Sequence, residues 1–155
     1  MWGPTWSDIN LWLHIVAACV WIGGQLMLAA LVPLVRGKGD LASQVGRRFQ
    51  FLAWPAFAAL VLTGIINVHN AGISWDHLSS TTAGRTLEFK LFFVMISGTT
   101  AALHAFVVGP RVSRTRASGT PGGLLTSPTL SGILGGVSFL TALLAALYGV
   151  VIAEH

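Results

Sequence analysis

The sequence contains little charge, and this scarcity excludes several classes of protein. Asp, Glu, Lys and Arg together make up 9% of the 155 residues, whereas soluble proteins carry about 25%. Because 54% of the residues are hydrophobic and another 18 are glycine, most of the surface must contact lipid rather than water. Disordered, coiled-coil and nucleic-acid-binding proteins are therefore excluded.

Cysteine is almost absent, since Cys19 is the only one and lies within an apolar run. One cysteine cannot form an intrachain disulfide, a Cys-x-x-Cys redox pair or the Cys-x-x-Cys-His attachment of c-type haem. Any haem would therefore be held non-covalently. The sequence also lacks a nucleophilic triad, a phosphate-binding loop and regularly spaced zinc ligands, so hydrolytic chemistry is not expected.

Four apolar stretches are each long enough to cross a bilayer, which needs about 20 residues of helix. They cover approximately residues 9–35, 49–70, 89–108 and 130–153. The sequence therefore predicts an all-α integral membrane four-helix bundle, antiparallel in up-down order, formed by residues 1–155 as a single domain. No Lys or Arg precedes Arg36, so the first stretch is interpreted as a membrane span rather than a cleaved signal peptide.

The charges of the connecting segments predict the orientation in the cell membrane. Seven of the nine cations lie in the first and third loops, at Arg36, Lys38, Arg47, Arg48, Arg111, Arg114 and Arg116. Cytoplasmic loops are rich in Lys and Arg, so both termini and the second loop are predicted to lie outside. These seven cations are assigned to topology and lipid headgroups.

Residues 111–128, rich in Gly, Pro, Ser and Thr, are expected to form a mobile connector without a hydrophobic period.

Polar residues within the spans are the candidates for function, because polar groups in hydrocarbon are costly and usually face the bundle interior. They form one stripe in each of the first three spans: His14, Trp21 and Gln25; Thr63, Asn67 and Asn70, with His69 beside them; and Lys90, Ser97 and His104. The fourth span presents only small residues on one face and is expected to be scaffold.

Histidine is a natural ligand of non-covalently bound haem b, and His14, His69 and His104 are the candidates. Imidazoles on neighbouring helices can bind the two faces of a porphyrin held between them. The helical rise places His14 and His69 near the outer surface, and His104 about 20 Å below the outer end of its span. The first hypothesis is therefore a b-type haem protein that transfers electrons to or from a quinone or an external carrier.

Two cations and two other functions complete the set of hypotheses. Arg85 and Lys90 are candidates to pair with haem propionates, or they extend to lipid headgroups.

The alternative cofactor is a copper ion. The residues with suitable ligand types are His14, His69, His77, His155, Asp8, Asp76, Glu88, Glu154, Met27 and Met95. No Met-x-x-Met ladder is present. The third hypothesis is an accessory or assembly subunit of a larger membrane complex, whose histidines are structural.

Several short motifs resemble those of the CopD-like (copper-resistance D) membrane domain. They are Leu13-His14 followed by Trp21-Ile22-Gly23-Gly24, then Leu62-Thr63-Gly64, then Gly84-Arg85-Thr86-Leu87-Glu88-Phe89-Lys90. The resemblance covers about the first three spans and carries over His14, Arg85 and Lys90 as positions of the family pattern. It implies copper passage or copper tolerance. The fold it implies is similar to that of HemJ, a four-span haem b protein linked to protoporphyrinogen oxidation, so the resemblance leaves both cofactors open.

Overall fold

The computed structural model describes residues 3–35, 38–73, 75–119 and 123–153; for residues 39–40, 76–77, 116–117 and 153 it describes the backbone alone. Every regular element within these ranges is helical. Four helical stretches are long and apolar enough to cross a membrane, namely Trp6–Val35, Leu41–Asn70, Thr82–Thr115 and Pro128–Ile152. The predicted all-α protein with four membrane spans is confirmed, while its orientation in the membrane stays a prediction.

The helices are longer than the hydropathy pattern predicts, mainly at their polar ends. In chain order the elements are α1 (Trp6–Val35), α2 (Gly39–Asn70), a 3₁₀ segment (Trp75–Ser80), α3 (Thr82–Ala102), a π-helical segment (Leu103–Val108), α4 (Gly109–Ser118), a 3₁₀ turn (Leu124–Thr126) and α5 (Pro128–Ala153). Arg47 and Arg48 therefore belong to α2 rather than to a loop. The stretch from α3 to α4 forms one continuous helical rod.

The segment predicted to be a mobile connector, residues 111–128, is helical in its first part. Arg111 and Arg114 lie on α4, which continues the third span. Arginine is a good helix former, so the helix extends past the end of its apolar stretch. It stops where Gly119 adopts a left-handed conformation with φ 65°, which glycine tolerates because it has no Cβ.

Local sequence explains where the third span begins and where its helix changes from α-helical to π-helical hydrogen bonding. The Thr81 hydroxyl accepts a hydrogen bond from the Gly84 amide at 3.0 Å and caps the first turn. Farther along, the amide of Gly109 bonds to the carbonyl of His104, one residue beyond the usual α-helical partner. Pro110 has no amide hydrogen, and its ring excludes a regular α-turn at this point. The proline thus accounts for the wide turn that contains His104.

The four spans form two closely packed pairs, α1 with α2 and α3 with α5. In the first pair Asn10 bonds to Asn67 and His14 bonds to Thr63. The later residue of α1 therefore meets the earlier residue of α2. Helices that run in opposite directions show this pattern. In the second pair, Ser97 bonds to Ser138 and His104 to Ser131, in the same reversed order.

The two pairs meet in an aromatic layer near the middle of the bundle. Trp21 is buried, and its ring lies 4.6 Å from that of Phe57 and 5.9 Å from that of Trp54, measured between centroids. The Trp21 indole donates a hydrogen bond to the Ser97 hydroxyl at 3.3 Å, which links the pairs directly. Most other large apolar side chains point outward, such as Phe51 at 81% exposure, as expected where lipid is the solvent.

Candidate functional site

The best-positioned candidate ligand is His14, which lies half-buried between α1 and α2. Its Nδ1 is 2.8 Å from the Thr63 hydroxyl oxygen. That hydroxyl donates its single hydrogen to the carbonyl of Ala59, at 2.6 Å, so it can only accept from the ring. The proton of a neutral His14 ring must therefore reside on Nδ1, which leaves Nε2 with an unshared electron pair. The backbone of Leu60 is a further hydrogen-bond partner of the His14 ring.

Neighbouring residues hold Thr63 and leave room for the imidazole. Asn10 is buried and donates to the Thr63 carbonyl at 3.0 Å and to the Asn67 amide oxygen at 2.7 Å. A Cβ atom at Gly64 would lie 3.4 Å from Cε1 of His14, so glycine keeps that side of the ring open. We call Asn10, His14, Thr63 and Asn67 the His14 cluster. Asn10 lies one helical turn before His14, and this spacing would have identified it from the sequence.

Lys90 on α3 is a charged residue that acts electrostatically on His14 of this cluster. Its half-buried side chain lies against α5, with Nζ 3.1 Å from the position of a Cβ at Gly149. It has no hydrogen-bond or ion-pair partner in the part of the chain described. Its ammonium lies within Coulombic range of His14. This charge disfavours a cation at His14 and favours an anionic group.

Arg85 and His69, the other candidates near this end of the bundle, are exposed. The Arg85 guanidinium donates from Nε to the carbonyl of Ser79 at 3.0 Å, so it ties the 3₁₀ segment to α3. His69 lies in the last turn of α2, and its side chain has no partner among the described residues. Six residues, or about 9 Å of helix, separate it from the level of Thr63.

His104 belongs to a different level of the bundle. Its Nδ1 is 3.2 Å from the Ser131 hydroxyl of α5. Phe57 lies against Gly98, and Trp54 stacks on Phe106, so α3 runs opposite to α2 and alongside α1.

The contact between Trp21 and Ser97 marks a common level on α1 and α3. His14 precedes Trp21 by two turns and His104 follows Ser97 by two turns, so the two histidines differ in height by about 20 Å. The three histidines predicted as haem ligands therefore lie at three different levels. Haem ligation by any pair of them stays a prediction.

The predicted copper ligands that the structure describes are not assembled into one group either. The described residues contain no group of three or more His, Cys, Asp or Glu side chains that could hold a metal ion. Met27 and Met95 are 62% and 68% exposed on the lipid-facing surface, and Cys19 is also exposed. Four predicted ligands lie outside the described residues or have undescribed side chains, namely Asp76, His77, Glu154 and His155.

Four long apolar helices with polar clusters between them define a multi-pass integral membrane protein. The chain belongs to the CopD family, because the family model for copper resistance protein D matches residues 43–148. Such a protein is expected in the plasma membrane. No curated protein and no solved structure shows significant similarity to the chain.

The matched segment differs from the segment that the sequence motifs suggested. It runs from early α2 to late α5, whereas the motifs were placed in the first three spans. The motif around Thr63 and that containing Arg85 and Lys90 lie inside the match. The motif around His14 lies outside it, so His14 enters the site through its contact with Thr63 rather than through the matched region.

Proposed function

We propose that this CopD-family protein handles copper ions as cargo in the membrane and that His14 is a ligand that receives the ion. Membership of a copper-resistance family supports the choice of copper. The observation that carries the role of His14 is the hydrogen bond between its Nδ1 and Thr63. That bond leaves the opposite ring nitrogen free to coordinate a metal.

The chemistry of the His14 cluster suits this role. Imidazole is a common ligand of copper, and a ligating histidine usually donates its second ring hydrogen to an acceptor that fixes its orientation. Thr63 is such an acceptor, and its own hydrogen is committed to Ala59. The ring is therefore oriented before any ion arrives, which reduces the entropy lost on binding.

The arrangement favours passage of the ion rather than storage. A conduction site must bind well enough to admit an ion and weakly enough to release it. His14 is not part of a group of three or more ligands among the described residues, and Lys90 lies within Coulombic range of it. Both features weaken the binding of a cation, so we infer a transient site.

The haem, redox-subunit and accessory-subunit hypotheses remain predictions, and one purification distinguishes them from copper handling. The protein is purified in mild detergent from cells supplied with haem and copper, and then titrated with Cu(I) and Cu(II). We expect copper binding without a Soret band. A Soret band with sharp reduced α and β bands, and no copper, would replace the proposal with haem b.

A matched series of alanine variants tests the role of His14. We expect His14→Ala to lower copper affinity at least tenfold, because second-shell losses alone cost about 10–100-fold. His69→Ala and His104→Ala are the controls, since one residue is exposed and the other lies about 20 Å away in height; both should bind copper as the unsubstituted protein does. Unchanged affinity in His14→Ala would overturn the assignment.

Copper accumulation by cells that express the same variants tests passage itself. We expect His14→Ala to reduce the difference in cellular copper between expressing and non-expressing cells. An unchanged difference, at equal amounts of protein in the membrane, would show that His14 is not on the path.

A further inference from the structure

A second cluster of polar side chains lies at the opposite end of the bundle from the His14 cluster. A groove of about 730 Å³ lies between α4 and the 3₁₀ turn Leu124–Thr126; its lining residues are Arg111, Arg114, Thr115, Ser118 and Thr126. We call it the α4 groove. Among the residues whose side chains the structure describes, two guanidinium groups and three hydroxyl groups line it, and no acidic group does. The groove is shallow and largely open to its surroundings.

The two arginines keep most of their donors available. Arg111 and Arg114 are exposed and each donates one hydrogen bond to a carbonyl of its own helix, at 3.5 Å and 3.3 Å respectively. Neither forms an ion pair within the described part of the chain. Since a guanidinium has five N–H donors, several remain on each side chain. Two N–H groups of one guanidinium can donate hydrogen bonds to two oxygens of one phosphate group.

The depth of the groove places it among lipid headgroups. The third apolar stretch ends near Val108, so Arg111 and Arg114 lie about 5 Å and 9 Å farther along the helix axis. Each headgroup layer of a bilayer is about 5–8 Å thick beyond the hydrocarbon. Arg111 therefore lies within the headgroup layer, and Arg114 lies at its outer edge, from where a long side chain can extend toward the phosphates.

We propose that the α4 groove binds the phosphate of an anionic phospholipid headgroup. The phosphate accepts hydrogen bonds from Arg111 and Arg114, and the Thr115 hydroxyl lies beside them. The Thr126 hydroxyl donates to the Gly123 carbonyl at 2.7 Å, so it can only accept a hydrogen bond from a headgroup hydroxyl. The charge of the groove selects an anionic lipid over a zwitterionic one, because a zwitterionic headgroup brings its own cation to the arginines. This site is independent of copper handling at His14, which lies at the other end of the bundle.

Native mass spectrometry of the full chain in detergent tests this proposal with phosphatidylglycerol and phosphatidylcholine as probes. We expect phosphatidylglycerol to bind at least tenfold more tightly. The double variant Arg111→Gln/Arg114→Gln should lose that preference, with a rise in Kd of roughly tenfold or more, since each charge-assisted contact contributes about a factor of ten. Retention of the preference in this variant would overturn the proposal.

A matched control separates the groove from the general positive charge of this end of the molecule. Arg47→Gln/Arg48→Gln removes two exposed cations from α2, which packs against α4, but neither residue lines the groove. We expect the Kd for phosphatidylglycerol to change less than about twofold, because exposed charges outside the site are screened. An equal loss in both double variants would show that charge alone attracts the lipid.

Two further measurements complete the test. Inorganic phosphate at about 10 mM should not displace the lipid, because a free phosphate leaves most of the groove unfilled; full displacement would assign the groove to free phosphate and overturn the choice of a lipid. Thr115→Val/Thr126→Val keeps both cations and removes two hydroxyls, and we expect an intermediate loss of affinity. Helical circular dichroism and size-exclusion profiles should match in all variants, so that altered binding does not reflect misfolding.

Discussion

The α1–α2 pair and the α3–α5 pair both place polar side chains between apolar helices. The His14–Thr63 contact of the first pair and the Ser97–Ser138 contact of the second differ in whether a polar atom remains available for a ligand. In the first pair, His14 uses one ring nitrogen on Thr63 and keeps the other available. In the second pair, the Ser97 hydroxyl donates to the Ser138 carbonyl at 2.9 Å, and the Ser138 hydroxyl donates to the Ser97 carbonyl at 3.0 Å. Both serine hydroxyls donate within the pair, whereas the histidine can bind a ligand through its second ring nitrogen.

The Ser97–Ser138 contact is also more deeply buried than His14. Ser97 and Ser138 are 2% and 1% exposed, and small side chains at such a contact let the two helix backbones approach closely. His14 is half-buried. We conclude that the Ser97–Ser138 contact of the α3–α5 pair specifies helix packing, while the Thr63–His14 contact of the α1–α2 pair orients a potential ligand. Experiments that disturb each pair should therefore change different properties of the protein.

The largest expected effect is loss of stability when the serine contact of the α3–α5 pair is broken. Ser138→Leu inserts a large side chain where no space exists and removes the hydrogen bond that the Ser138 hydroxyl donates to the Ser97 carbonyl, so we expect the free energy of unfolding to fall by about 3 kcal/mol. Unfolding in mixed micelles titrated with sodium dodecyl sulfate measures this. Leu140→Ala, at a side chain that is 59% exposed, is the control, with a change below about 1 kcal/mol. Equal changes would contradict a packing role specific to the serines.

A smaller effect is expected where the two pairs meet. A Cβ at Gly98 would lie 2.6 Å from Cζ of Phe57, so Gly98→Ala forces the aromatic ring to shift. The free energy of unfolding should fall by about 1–2 kcal/mol, and tryptophan fluorescence should change because Phe57 packs on Trp21.

The matched glycine for this test is Gly136 on α5, where an added Cβ meets nothing within 4 Å. Gly136→Ala should preserve or slightly raise stability, because alanine is the better helix former. The interface between the pairs would need another explanation if both alanine variants behaved alike.

The most selective effect is expected at Thr63, which acts on copper through His14. Thr63→Val removes the acceptor for Nδ1, so we expect copper affinity to fall about tenfold while the free energy of unfolding changes little. Copper titration of the purified protein measures it. Thr63→Ser keeps the hydroxyl and should restore affinity. Ser131→Ala, which removes the hydroxyl bound to His104, should leave copper affinity unchanged, and an equal loss there would remove the distinction between the two pairs.

The hydrophobic pattern was sufficient to predict the four spans and their approximate positions. Hydropathy is a local property that sums over about 20 consecutive residues, so no knowledge of neighbours is required. Family resemblance was equally visible in short motifs, and the match to residues 43–148 bears it out. The ends of the helices were less predictable, because hydropathy stops at Val108 whereas the backbone hydrogen bonds continue through α4 to Ser118.

The tertiary structure alone decided which partner each polar stripe meets. The sequence places Lys90, Ser97 and His104 on one helical face but does not say that this face packs against α5, with Gly149, Ser138 and Ser131 opposite. Nor does it show that Thr63 directs the proton of His14 to Nδ1. A membrane span follows from the composition of one segment. The contacts of a side chain depend on residues distant in the chain, and only the packed helices bring those residues together.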